Sequence, residues 1–150
     1  MKLGDIIYFN NLVFKDGKKD IKYNRPCIYL FEENIDGKDF VFSIPITSRI
    51  VRFNNVKNDS LILIPETIYN YRKLSFAKID GIISTQKNEM IGTEITLANE
   101  TINNILTKTI EITDDIELRK KLIELKNNLS ICNEYPSPVR VKRMFKKVSK

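Results

Sequence analysis

The chain is expected to fold as an α+β domain, with five to seven short strands first and helices after them. Three observations predict this class. Short runs rich in β-branched and aromatic residues, punctuated by Gly, Pro, Asn and Asp, recur through residue 84. From residue 97 the apolar period changes to that of a helix. With 150 residues, 42% hydrophobic and 29% charged, the chain suits one globular domain with a real core.

The elements follow in order. Asp5 to Phe9, DIIYF, is a short β-branched strand, and Leu12 to Phe14 is a second apolar patch before the polar loop KDGKKD at 15–20. Arg25–Phe31 and Phe40–Thr47 read as strands, and Asp36-Gly37 between them supplies the positive φ of an antiparallel hairpin. Leu61–Ile64 precedes Pro65, and Leu74–Lys78 and Gly81–Ser84 follow, with a bend at Asp80-Gly81. Ile102, Ile105, Leu106, Thr109 and Ile110 keep helical spacing, with Thr96 or Asn99 as the expected cap. A second helix begins near Thr113-Asp114-Asp115, whose acids suit a helix N-terminus. Its stripe Leu118, Leu122, Leu125 and Leu129 is expected to pack on the sheet or on a partner subunit. Pro136 and Pro138 break the chain. Beyond them Val141, Met144, Phe145 and Val148 share one helical face opposite the basic residues. Short strands need their edges managed, so a small, partly closed barrel is the expected arrangement. The expected organisation is a barrel domain with its helix over 1–112, a further helix on the same domain over 113–132, and a basic tail over 133–150.

Composition excludes several chemistries. The chain has no histidine, so Ser-His-Asp and Cys-His nucleophiles are impossible. Two cysteines, Cys27 and Cys132, form no CxxC pair, so neither a disulfide framework nor a His/Cys zinc site is expected. No metal or other cofactor is expected. No apolar run approaches the ~20 residues a membrane helix needs, and the opening MKLGDIIYFNN lacks the apolar stretch of a signal peptide. The expectation is a cytoplasmic protein without membrane association.

The net charge of +6 is confined to one end. Residues 140–150 carry six cations and no acid, and without them the 19 remaining basic residues balance the 19 acidic ones. Such an arm meets nucleic acid or an acidic partner, or it is simply a solvated tail.

Two sequence features could carry chemistry. Arg25-Pro26 heads one hairpin strand, and Pro45-Ile46-Thr47-Ser48-Arg49 ends the other. Antiparallel pairing should bring these ends together. Pro26 disfavours the helical region for Arg25 and holds it extended. A guanidinium beside two hydroxyls makes a plausible phosphate cradle. The structural alternative pairs Arg25 with Glu32, Glu33 or Asp39 and gives Thr47 and Ser48 to turn backbone groups. Residue types alone leave both open.

The order of these pieces adds a resemblance. Gly4-Asp5-Ile6-Ile7-Tyr8-Phe9, Arg25-Pro26, Pro45-Ile46-Thr47-Ser48, and Leu74-Ser75 running to Ile82-Ile83-Ser84-Thr85 resemble, over about residues 1–110, the PemK/MazF toxin family. The resemblance implies an SH3-like barrel, a homodimer or toxin–antitoxin complex, and metal-independent cleavage of single-stranded RNA. The implied reaction is attack of a ribose 2′-hydroxyl on the adjacent phosphate, leaving a 2′,3′-cyclic phosphate and a 5′-hydroxyl end. Arg25 matches the family's catalytic arginine and Thr47 its strand-end threonine. Arginine does not readily deprotonate, so Arg25 is assigned to stabilising charge on the pentavalent phosphate. Thr47 and Ser48 would orient the reacting oxygens. The proton acceptor stays open among water, a carboxylate and Lys78.

Two departures matter. The loop at 15–20 lacks the family's serine and glutamine, and the extension over 110–150 exceeds the compact pattern. The second moves the resemblance toward ToxN-like toxins of type III systems, matched by Thr47-Ser48-Arg49 and Lys78. The cognate antitoxin is therefore either protein or RNA. Expected RNA contacts are Lys18, Lys19, Tyr23, Arg49 and Lys78, with Arg140, Lys142, Arg143, Lys146 and Lys147 of the tail. Tyr8, Tyr23, Phe53, Tyr69 and Tyr71, near Arg52, Lys57 and Arg72, either stack bases or cover pockets. Phe31, Phe40, Phe42 and Phe76 are expected in the core. Two other classes remain in play: a non-catalytic nucleic-acid-binding module, and a CcdB-like toxin acting on a protein target.

Overall fold

Asp36 and Gly37 have φ of 52° and 83°, the two positive values that a two-residue type I′ hairpin turn requires. The turn joins β4 (Cys27–Ile35) to β5 (Lys38–Thr47). Asn34 braces it, accepting from the Gly37 N–H at 3.2 Å and donating to Asp39 at 3.0 Å. Both strands run right up to the turn, further than expected, because the mostly polar residues beside it are still paired, Asn34 with Asp39 and Ile35 with Lys38.

The computed structural model describes residues 1–9, 12–13, 19–20, 26–48, 60–68 and 74–133. Within them, β1 (Asp5–Phe9) pairs with β4 on one side and β9 (Met90–Thr96) on the other. β5 pairs with β4 along one edge. Along its other edge it pairs first with β8 (Ile83–Gln86) over Phe40–Ser43 and then with β7 (Ser75–Lys78) over Ile46–Thr47. β6 (Leu61–Ile64) pairs with β7 at the far edge. All these pairings are antiparallel, and they give one seven-stranded sheet. A separate ladder joins β2 (Leu12–Val13) to β3 (Lys19–Asp20). Two helices follow, α1 (Asn99–Ile112) and α2 (Ile116–Asn133).

The α+β class and the strands-then-helices order are as expected, but closure into a barrel is not found. The path ends at β6 and β9, which do not pair with each other among the described residues. The physical reason lies in the helices. Ile6, Ile28, Ile44, Ile46 and Ala77 of the sheet share one core with Ile102, Ile105 and Leu106 of α1 and Leu122 and Leu129 of α2. The helices cover that face, so the sheet need not curl onto itself to bury it. A smaller cluster, Ile7, Phe9, Cys27, Tyr29 and Val41, lies on the reverse face.

A bulge in β4 redirects its side chains. Tyr29 faces Ser43 but Phe31 faces Phe42, which leaves Leu30 as the extra residue. Leu30 and Phe31 consequently both enter the main core, and Glu32 returns to the face of Tyr29.

The α1 N-terminus differs from its expected capping. Thr96 donates to Asp5 Oδ1 at 2.8 Å instead. Glu66, from the segment after β6, takes the capping role. Its carboxylate accepts the Ala98 N–H at 2.6 Å and the Thr101 hydroxyl at 3.0 Å. For α2 the expected acidic start holds, with Asp115 Oδ1 accepting the Leu118 N–H at 2.9 Å. Gly4 (φ +92°) lets the chain pass under α1, where a Cβ would collide with the Ile102 side chain. No helix among the described residues is long and apolar enough to cross a membrane.

Candidate functional site at the end of β5

Alternation along β5 sets the site's orientation. Ile44 and Ile46 enter the helix-covered core, so Pro45 and Thr47 project from the other face. Thr47, half-buried, closes the strand opposite Phe76, and Ser48, also half-buried, follows it. The head of β4 lies alongside. Cys27 pairs with Pro45, and the Ile46 N–H donates to the Pro26 carbonyl at 2.9 Å. The expected meeting of the two hairpin ends therefore holds as far as Pro26. Arg25 itself lies outside the described residues, as do Tyr23, Lys18's loop, the Arg49 side of the strand end and the basic tail. Lys19 falls in β3.

Lys78 belongs to the same region. Ile46 pairs with Ala77 and Thr47 with Phe76, so Phe76 and Lys78 share the Thr47 face of the sheet. Lys78 is the diagonal neighbour of Thr47, a separation of roughly 7–8 Å that a lysine side chain spans. Its ammonium sits 3.4 Å from Asp80 Oδ1, with half of the side chain exposed. Such an exposed, long pair is weak. Next to Phe76 on β6, Leu63 is half exposed. The described site thus sets Thr47 beside one cation and an apolar floor, with Ser48 next along the chain.

Of the acids weighed as partners for Arg25, Glu32 and Asp39 already have partners among the described residues. Glu32 is five residues along β4 from Cys27, about 16 Å at strand rise, and it is already engaged. Tyr29 donates to it at 2.6 Å and Lys87 sits 3.0 Å away. These contacts, the tyrosine's first, hold the Glu32 carboxyl below its ordinary range. Burial, then the bond to Glu32, pushes the Tyr29 hydroxyl above the normal phenol range. Asp39 is at the hairpin turn with Asn34. Sequence reasoning missed this Tyr29–Glu32–Lys87 group because only the bulge brings Tyr29 and Glu32 to one side. No group of His, Cys, Asp and Glu among the described residues could hold a metal.

Among the aromatics, Phe31 and Phe42 stack at 4.6 Å with their planes 8° apart, consistent with the core expectation. Phe40 and Phe76 are half-buried. Tyr8 lies within β1 and is half-buried. Phe53, Tyr69 and Tyr71 are outside the described residues, with Arg52, Lys57 and Arg72.

No protein-family model matches the chain, and no curated protein matches it.

Proposed function

We propose that the protein is an endoribonuclease toxin of a toxin–antitoxin system, acting on single-stranded RNA at the end of the sheet formed by Pro26, Thr47, Ser48 and Lys78. The carrying observation is the Ile46 N–H to Pro26 carbonyl bond at 2.9 Å. It joins the strand headed by the Arg-Pro dipeptide to the strand that ends in Thr47-Ser48, as phosphate chemistry at that junction requires. The reading requires Arg25 to lie across from Thr47, one residue beyond that bond. It also takes the sheet as a variant of the SH3-like barrel, with β5 shared between β8 and β7 as the strand that would turn the corner.

In the proposed reaction a ribose 2′-oxygen attacks the adjacent phosphorus and loses its proton to a base. The bond from phosphorus to the 5′-oxygen breaks, and that oxygen leaves with a proton. Arg25 stabilises the added negative charge on the phosphorane, Thr47 and Ser48 orient the oxygens, and Lys78 holds a neighbouring phosphate. The toxin is held inactive by a cognate antitoxin, protein or RNA, in a homodimer or a toxin–antitoxin complex.

The test is incubation with single-stranded RNA in EDTA and analysis of the product ends. Cyclic phosphate and 5′-hydroxyl ends are expected, with Arg25→Ala slower by roughly 100- to 1000-fold. Cleavage undiminished in Arg25→Ala overturns the mechanism. Tight RNA binding without any cleavage gives the non-catalytic module instead.

A further inference from the structure

At the end of the sheet near the β4–β5 turn, a groove of about 430 Å³ runs between the hairpin and the first half of α2. Its apolar floor is the stacked pair Phe31 and Phe42. Four carboxylates, Glu33, Asp115, Glu117 and Glu124, rim it against two lysines, Lys120 and Lys121. Lys121 is already committed inside the groove, 3.2 Å from Glu124 and 5.4 Å from the centre of the Phe31 ring. Among the described residues Glu33 and Glu117 have no ion-pair partner. The site is thus apolar below and anionic at its edges, a shape that suits an amphipathic basic helix.

We infer that this groove is the docking site of the chain's own basic C-terminal segment, residues 139–150. Three facts carry the inference. First is charge: the segment holds Arg140, Lys142, Arg143, Lys146, Lys147 and Lys150 and no acid, while the rest of the chain is formally neutral. Second is pattern. Val141, Met144, Phe145 and Val148 recur at helical spacing, so an apolar stripe can meet the half-buried Phe42 and Leu118 while the flanking cations meet the carboxylate rims. Third is reach. From Asn133 at the end of α2 back to Glu117 is about 24 Å along the helix at 1.5 Å per residue. The five residues 134–138 that precede the segment span at most about 17–18 Å when extended, enough to bring residue 139 back beside Glu124, about 14 Å from Asn133 along the helix. Pro136 and Pro138 within them disfavour a continued helix. The segment can therefore return along α2 and lie over residues 117–124. This docking does not depend on the ribonuclease reading, because no residue of the groove belongs to the Thr47 end of the sheet.

The test is zero-length carbodiimide crosslinking of the full chain at low protein concentration, read by peptide mass spectrometry. Crosslinks are expected from Lys142, Lys146 or Lys147 to Glu33, Glu117 or Glu124, and they should fall at least ~5-fold at high salt because the contact is charge-driven. The double variant Glu33→Gln/Glu117→Gln, which changes two surface carboxylates to amides of the same shape, should lose crosslinks at those positions and shift the rest to Glu124. Three results overturn the inference. One is crosslinks spread equally over Glu89, Glu94, Glu100 and Glu111. Another is crosslinks between labelled and unlabelled chains, which would make the contact intermolecular. The third is a tail that crosslinks to no carboxylate of its own chain, which would leave the groove without this occupant.

Discussion

Replacing Glu66 by alanine should loosen the protein at a junction that joins the outer edge of the sheet to α1. Two donors converge on this carboxylate, the Ala98 N–H at 2.6 Å and the Thr101 hydroxyl at 3.0 Å. Loss of a helix N-cap costs about 0.5–2 kcal/mol, and loss of a negative charge at the N-terminus a further ~0.3–1 kcal/mol. Thr101 is 7% exposed, so its hydroxyl would be left nearly buried without this acceptor, which adds about 1 kcal/mol. These overlap, and about 2–3 kcal/mol is the expected total. With a urea m-value of ~2 kcal/mol/M, the midpoint should fall by about 1–1.5 M. Glu66→Gln keeps one acceptor oxygen without the charge and should lose about half as much. In a double-mutant cycle with Thr101→Val, the two changes should couple by about 1 kcal/mol. A Glu66→Ala midpoint within ~0.2 M of the parent protein, or additivity with Thr101→Val, would refute the tertiary cap.

Two glycines with positive φ should behave differently. Gly37→Ala meets open space and should cost only the backbone strain, about 1 kcal/mol, while Gly4→Ala meets the buried Ile102 and should cost about 2–4 kcal/mol in the same urea assay. Glu32 is held below its ordinary value of 4.5, first by Tyr29 and then by Lys87. Its contribution to stability is therefore complete above that value and is lost as the pH falls through the lower native one. Tyr29→Phe should flatten the acid arm of stability against pH, and an unchanged arm would remove this group as its source. At the proposed active end, Thr47→Val and Lys78→Met should each lower single-turnover RNA cleavage, roughly 10-fold or more for a lost positioning contact. Both should leave the urea midpoint within about 0.5 M, which separates catalysis from folding.

Local signals were legible in the sequence wherever one short stretch carried its own physics. Asp36-Gly37 dictated the hairpin, the leucines at 118, 122, 125 and 129 the buried stripe of α2, and Asp115 its cap. Features built from distant partners were not legible. Glu66 is an ordinary acid after a proline until α1 arrives 32 residues later. β9 went unanticipated because its alternation is interrupted by Gly92 and it is largely exposed, so no apolar pattern announces it. That extra edge strand and the helix-covered face are why the expected barrel is an open sheet. For the site, the pairing of the hairpin ends was readable from antiparallel geometry. The shared face of Thr47 and Lys78 was not, since it depends on which neighbour β5 takes.

That choice of neighbour is made at Pro45. The Ile46 N–H points toward β4, bonding the Pro26 carbonyl. In an antiparallel ladder the amide directions alternate, so the N–H groups of positions 43, 45 and 47 aim at the opposite edge of β5. Proline has none to offer at 45. The β8 ladder ends at Ser43 and the β7 ladder begins at Ile46, so the missing donor falls between the two. A proline that would break a continuous central strand is tolerated here because no bond is due at that point. The consequence reaches the candidate site. Once β8 ends, the last residues of β5 are free to pair with β7, and that pairing sets Thr47 beside Phe76 and within side-chain reach of Lys78. The position of the strand-end threonine thus follows from a proline two residues earlier.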